Sequence, residues 1–328
     1  MPSILALGDI NVDVLMDVPA YPPPGGEALT ERIITRLGGS AANTAVVLSQ
    51  LGLDVRMISR VGEDTWGQIA LAALAEAGVG LDLVQRDRIE TTGTMFTVVT
   101  PDGERTMFGQ RGANQHTDPA TISMHTFSGA DLLYLSGYAL LASPQRDAAT
   151  RAVELAAHLR LPIVLDTAYL PALTAPQALR QLLPLLDACI LGLPEARALV
   201  GEEEPQTAAA ALLGTGARLA AVKLGARGCL LANASSAHLI PAFPVHVVDT
   251  TGAGDAFTAG LIFGRLRGLS LPALGVLANA LGGLAAAVHG AGSALPGKAG
   301  VIRFLNESLA SSSGDHSLWI SEALQSLT

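Results

Sequence analysis

Short apolar runs separated by segments of helical period fill most of this 328-residue chain. From Asp131 onward the two alternate: LLYLSG reads as a strand, 146–159 as a helix, PIVLD as a strand, 177–185 as a helix and ACILG as a strand. Helices at 194–200 and 206–213, strands LAAVKLG, GCLLAN and VHVVD, and two long helices after Gly254 complete that half. Earlier, 4–7 is a strand, GGSAANTAVVLSQLG a glycine turn and a helix stopped at Gly52, VRMISRVG a strand, and 66–77 a helix stopped at Gly78. Repeated strand–helix units predict an α/β fold, a three-layer, mainly parallel sheet flanked by helices. Three stretches break the alternation. Strands near 11–18 and 30–37 flank the breaker PAYPPPGGE, and GTMFTVVTPDGERTMFGQ reads as a hairpin turning at Pro101-Asp102-Gly103. They predict a small β-sheet lid, discontinuous in sequence, over the sheet edge where open α/β sheets bind ligands. The expected division is an α/β body at 1–10, 38–92 and 113–307, a lid at 11–37 and 93–112, and a C-terminal tail helix in 308–328. Lid closure is expected to hinge near Gly38-Gly39 and Gly112.

Composition narrows the function. Hydrophobic residues make up 49% of the chain and aromatics only 4%, so the core is expected to use small side chains in close helix–sheet packing. A net charge of −9 argues against a nucleic-acid partner, which would need Lys and Arg for its phosphates. Cys189 and Cys229 lie in apolar runs without a CxxC pair and read as buried free thiols of a reducing cytosol. The start MPSILALGDINVD has no basic leader, so a cytoplasmic location is expected. Between Arg267 and Lys298 no charged side chain occurs, but the stretch is Ala- and Gly-rich with Pro272 and His289. It reads as a buried helix, with no membrane partner.

The chemistry concentrates in DTTGAGDAF, Asp249–Phe257. An apolar strand leads in and a helix leads out. The two glycines let the amides of Gly252, Ala253 and Gly254 converge at a helix N-terminus, where an anion is favoured. Asp255 stands in the first turn. It reads either as a helix cap or as a base that takes a proton from an attacking hydroxyl. The neighbouring anion nest favours the base.

DTTGAGDAFTAG resembles the C-terminal signature of the PfkB/ribokinase family of carbohydrate kinases, and GGSAANTAVVLSQLGLDVRMISRVGEDTWG at 38–67 resembles the N-terminal one. The resemblance spans about 4–305 and implies a ribokinase-like fold and transfer of the ATP γ-phosphate, with Mg²⁺, to a hydroxyl. It implies Asp255 as base with Gly252, Ala253 and Gly254 as anion hole. Asp13 and Asn11 would hold substrate hydroxyls, beside Gly38, Gly39 and Asn43. Glu195, in GLPE, would order Mg²⁺ through water. Lys223, Gly225 and Gly228 would lie near the nucleotide, and Asn279 beside adenine. Asp249 and Thr251 match a monovalent-cation (K⁺) site of some members. Relatives often dimerise through the lid, which implies a homodimer.

Three positions depart from the pattern. Gly192 stands where the family usually has Asn, so restoring an amide there is expected to lower the Mg²⁺ requirement. Ala142 replaces a substrate-contacting Glu of ribokinases, and DTAYL at Asp166 lacks the Asp-x-Asn-x-Arg run of fructose and ketodeoxygluconate kinases. Arg111, at the hairpin's end, reads either as a substrate contact from the lid or as a solvated arginine. GSALPGKA at 292–299 lacks the Ser or Thr that ends a P-loop and is set aside. No Gly-x-Gly-x-x-Gly follows the first strand, and the histidines lack metal-ligand spacing. The reading is an ATP-dependent kinase of a small-molecule sugar. The alternatives are a nucleoside kinase of the same fold and a catalytically poor sugar-binding regulator.

Overall fold

The run SILAL at Ser3–Leu7 (β1) is buried at every position, as a central parallel strand covered on both faces requires. The protein is described by a computed structural model at residues 1–30, 32–101, 105–290, 294–295 and 297–328. After β1 the chain forms β2 (Asn11–Asp17), β3 (Ile33–Gly38), α1 (Ser40–Gln50), β4 (Asp54–Gly62), α2 (Thr65–Glu76) and β5 (Val84–Asp87). Then come β6 (Gly93–Val99), β7 (Arg105–Gln110), β8 (Leu132–Ser136), α3 (Gln145–His158), β9 (Ile163–Asp166), α4 (Tyr169–Thr174) and α5 (Pro176–Leu182). Next are β10 (Ala188–Gly192), α6 (Leu193–Val200), α7 (Pro205–Gly214), β11 (Leu219–Lys223), β12 (Cys229–Asn233) and β13 (Ala237–Ile240). The helices α8 (Ala253–Leu266), α9 (Leu271–Ala286), α10 (Lys298–Ala310) and α11 (Gly314–Leu327) close the chain.

Nine strands form one sheet in the order β13-β12-β11-β10-β9-β8-β1-β4-β5, parallel from β11 to β5 and antiparallel at β12 and β13. Alternation sends Ile4, Ala6, Tyr134 and Ile190 into the core under α1, α8 and α9. It sends Leu5, Leu7, Leu135 and Leu191 into the core under α3, α5 and α7. The chain leaves β1 for β4 on one side and reaches β8 on the other, so a crevice opens at the strand ends there. A second sheet, β3-β2-β6-β7, stands beside that edge. The expected hairpin is β6 and β7, in register from Thr94–Gln110 to Val99–Arg105. Asp102 and Gly103 of its expected turn lie outside the described residues, as do Gly292, Ser293 and Pro296 of GSALPGKA.

The carboxylate of Asp64 caps α2, accepting from Gly67 N–H (2.7 Å), and also accepts from Thr92 N–H (2.8 Å) and Thr92 Oγ1 (2.7 Å). One side chain thus ties α2 to the residue just before β6 of the small sheet; such a cap contributes about 1 kcal/mol.

The structure corrects the expected strand VHVVD. Residues 245–248 join no ladder; Val248 N–H and Asp249 N–H both donate to the Ala286 carbonyl of α9 (2.8 and 3.2 Å). The segment crosses α9 instead of extending the sheet, and the edge position goes to β13, four residues long. The short elements β5 and α4 were not expected either, and α8 starts at Ala253, before Gly254. No described helix is long and apolar enough to cross a membrane.

Candidate active site

Asp255 is the third residue of α8, and α1 supplies both side chains that hold it. Ser40 Oγ donates to Oδ1 (2.7 Å) and Asn43 Nδ2 to Oδ2 (2.8 Å). Thr44 Oγ1 reaches the Asp255 carbonyl (3.3 Å), which ties the helices at the same level. Burial pushes the carboxyl up to about 6; the Ser40 and Asn43 hydrogen bonds oppose that rise, Asp166 adds to it and Lys223 opposes it. Asn43, expected at the substrate, holds the Asp255 carboxylate. Ser40 was not anticipated, although it sits inside the quoted GGSAAN.

Asp13, on β2, is pushed up to about 7, first by burial and then by the Asp255 charge. Its carboxylate lies against Gly38, where a Cβ would collide with Asp13 Oδ1. Gly39 has φ 93°, and a Cβ there would meet the Asp9 carbonyl, so the turn entering α1 requires glycine twice over. Asn11 Oδ1 accepts from Asn114 Nδ2 (2.9 Å). Asn114, fully buried, also bonds the N–H and carbonyl of Ile10 (2.9 and 3.1 Å) and the Arg111 carbonyl (3.0 Å). It anchors the start of β2 to the segment after β7, a role no local pattern announced.

Arg111 is corrected. It does not lie in solvent. Its Nε and Nη2 bond the Asp9 carboxylate (2.9 and 2.8 Å), and Nη2 also donates to Gln145 Oε1. Asp9 and Gln145 are buried, and a desolvated carboxylate there needs this bidentate partner.

At the start of α8 the expected nest narrows. Ala253 N–H donates to the Thr250 carbonyl (3.2 Å), and the helical ladder begins with Ala256 N–H on Gly252 O (2.9 Å). The amides of Gly254 and Asp255 precede that ladder and can meet an anion. Lys223 Nζ lies 3.6 Å from where a Gly254 Cβ would stand. It also bonds both oxygens of Asp166 (3.0 Å each), and Thr258 Oγ1 donates to Asp166 Oδ2 (2.6 Å). Burial would lower the lysine pKa, but Asp166 outweighs it and keeps the ammonium charged above its ordinary range. Thus Lys223, expected in the nucleotide loop, stands at the anion turn and is tied through Asp166 and Thr258 to the helix that carries Asp255.

Gly192 pairs in register with Lys223. A Cβ at 192 would lie 2.5 Å from Glu195 Oε2, so the Glu195 carboxylate occupies the space an Asn would take. That carboxylate ends a flexible side chain and would have to move for an amide at 192 to enter the site.

Beyond Lys223 a cavity of about 540 Å³ opens, walled by Gly225, Gly228, Phe243, Val245, Phe257, Asn279 and Gly283 among others. Gly225 (φ 59°) and Gly228 (φ 93°) turn the loop between β11 and β12, and Asn279 Nδ2 donates to the Ile240 and Pro241 carbonyls (3.1 Å each). Asn279 thereby fastens the chain that crosses α9. Asp249 Oδ1 accepts from Thr251 N–H (2.9 Å) and Oγ1 (2.7 Å), and Oδ2 from Gly290 N–H (2.9 Å). Among the described residues no group of three or more His, Cys, Asp or Glu forms a metal cluster.

The model of the pfkB family carbohydrate kinases matches residues 1–298. The ATP-dependent ribose-1-phosphate kinase of Halopiger xanaduensis is 31% identical over 273 residues, 80% of this chain and 84% of that one. The fructokinase of Klebsiella pneumoniae is 33% identical over 273 residues, again 80% and 84%. A solved Arabidopsis thaliana ribokinase, complexed with ribose and ATP, matches with TM-score 0.81 at 25% identity, over 92% of this chain and 98% of that one.

Proposed function

Because the chain belongs to the pfkB family of carbohydrate kinases, we propose that it transfers the γ-phosphate of ATP, with Mg²⁺, to a hydroxyl of a neutral sugar. The observation that carries this is the Asp255 carboxylate, half-buried, held by two donors and placed beside the Gly254 and Asp255 amides. Bound MgATP would supply the phosphoryl group; its base fits the largely apolar cavity, and its phosphates the end marked by Lys223 and the α8 amides. Gly252 and Ala253 shape that turn. Glu195 would orient water around Mg²⁺.

Asp13 accepts hydrogen bonds from two neighbouring acceptor hydroxyls, with Asn11, Gly38 and Gly39 shaping that end. Asp255 takes the proton from the attacking hydroxyl, and its raised pKa makes it a better base than a solvated carboxylate. The lid, 11–37 and 93–112, closes over the 1–10, 38–92 and 113–307 body and excludes water that would otherwise accept the phosphoryl group. A neutral acceptor is favoured because Arg111, the counter-charge an anionic one would seek, is paired with Asp9. Relatives named fructokinase and ribokinase support a ketohexose or pentose.

Two further parts belong to this reading. The loop of Asp249 and Thr251, packed on the anion turn, would hold K⁺; replacing K⁺ by a bulky ammonium in the assay tests it. The exposed lid residues Ile33, Phe96 and Phe108 support a homodimer through the lid, which sedimentation tests. The reaction itself is tested by ADP release over pentoses, ketohexoses, sugar phosphates and nucleosides. A pentose or ketohexose should give the highest kcat/KM; release with nucleosides alone, or with none of them, would refute the proposal.

A further inference from the structure

The family match ends at residue 298, and α11 (Gly314–Leu327) lies wholly beyond it. The helix is nonetheless part of the body: Ile320, Ala323 and Leu327 are fully buried in the core shared with α8 and α9. It touches two walls of the nucleotide cavity from behind. At the first, the His316 ring lies against Phe243, with centroids 5.8 Å apart and planes 32° apart. Phe304 of α10 meets the same phenylalanine edge-on at 5.1 Å, and Trp319 meets His316 edge-on at 6.0 Å. Phe243 itself lines the cavity. At the second wall, the Glu322 carboxylate accepts from both Ser270 N–H and Ser270 Oγ (2.7 Å each). Ser270 is the cap residue of α9, and Asn279, Gly282, Gly283 and Ala286 of α9 line the cavity.

His316 works here as a flat apolar face. Its Nε2 is buried with no hydrogen-bond partner among the described residues, and burial lowers its pKa, which favours the neutral ring. Without it, the outer side of Phe243 would lose a contact that fixes its ring.

We propose that α11 is a positioning element of the nucleotide site: it braces Phe243 through His316 and α9 through Glu322, and so sets affinity for the nucleoside triphosphate without touching the acceptor end. The inference rests on reading this cavity as the ATP site. An aromatic contact of this kind corresponds to about a three- to tenfold change in affinity.

The test is titration calorimetry of MgATP against wild type, His316→Ala, His316→Phe, Glu322→Ala and a chain ending at Ala310, with thermal melts and steady-state kinetics in parallel. His316→Ala should raise the ATP Kd about three- to tenfold, and His316→Phe should restore it. The truncated chain should lose at least as much. The acceptor KM, and kcat at saturating ATP, should hold within about twofold in the point variants. If truncation prevents folding, the point variants decide alone. A folded His316→Ala that binds ATP as wild type does, or an acceptor KM that moves with the ATP KM, overturns the inference and leaves phosphoryl transfer standing. A wild type that binds no ATP overturns both.

Discussion

At the proposed acceptor end, the carboxylates of Asp13, Asp255 and Asp9 are packed against glycines or held by Ser40, Asn43, Arg111 and Gln145. At the proposed nucleotide end, Gly225, Gly228, Gly283 and the chain crossing α9 shape a cavity with few polar side chains. The first end stores unfavourable charge at a fixed geometry, as proton transfer requires. The second offers shape and an amide turn, which suffices to bind a ligand that carries its own charge. The two meet at Lys223, whose ammonium stands by the α8 turn while Asp166 and Thr258 tie it to the helix of Asp255. Substitutions at one end should therefore leave the other nearly intact, except at Lys223.

The largest expected effect is on the chemical step. Asp255→Asn should lower kcat by about 10²–10⁴ while the ATP Kd stays within about twofold, read by stopped assay and calorimetry. An equal loss in ATP affinity would break the separation of the two ends. Lys223→Met should disturb both. It leaves Asp166 buried without its cation, which should cost about 3–5 kcal/mol in a urea titration. It also removes a charge that holds the Asp255 pKa down, so the acid limb of the rate profile should move to higher pH. Unchanged stability with an unmoved limb would deny the link.

Asp13→Asn should separate function from stability. The Asp13 carboxyl titrates at about 7 in the folded protein against an ordinary value of 3.8, so the folded state binds the extra proton between those values. Ionising it costs stability as pH rises through that window. The Asn variant should thus be more stable than wild type, by on the order of 1–4 kcal/mol at neutral to alkaline pH, with the gain fading toward pH 4. Its acceptor KM should rise. A stability gain independent of pH would mean the carboxylate is not strained. The smallest effect is expected at Gly192→Asn. The new side chain displaces Glu195, so half-maximal rate should need about two- to tenfold more Mg²⁺. A lower requirement would show that the amide helps more than the displacement harms.

Legibility followed sequence distance. The βα alternation, the two sets of β segments off it and the DTTGAGDAF turn are local patterns, and most of the sheet and α8 stand close to where those patterns put them. Arg111 could not be placed locally, because its partners Asp9 and Gln145 lie 102 and 34 residues away. Asn114 and Thr258 likewise act on residues 104 and 92 positions off. VHVVD has strand composition, yet its backbone is satisfied by the end of α9, and β propensity does not reveal which partner is available. Gly192 could be recognised as a departure, but not that Glu195 fills the space.

The pH dependence of kcat/KM for the sugar acceptor, at saturating MgATP, tests the assignment of Asp255 most directly, because it reports the ionisations of the enzyme before the acceptor binds. Asp13 and Asp255 interact, so their limb belongs to the pair. We expect the rate to rise with pH through a limb centred between about 6 and 7 and then to level off, and Asp255→Asn to lose the Asp255 step from its residual rate. A wild-type profile that is flat from about pH 5 to 8, or the same limb surviving in Asp255→Asn, would contradict a carboxylate base at that position.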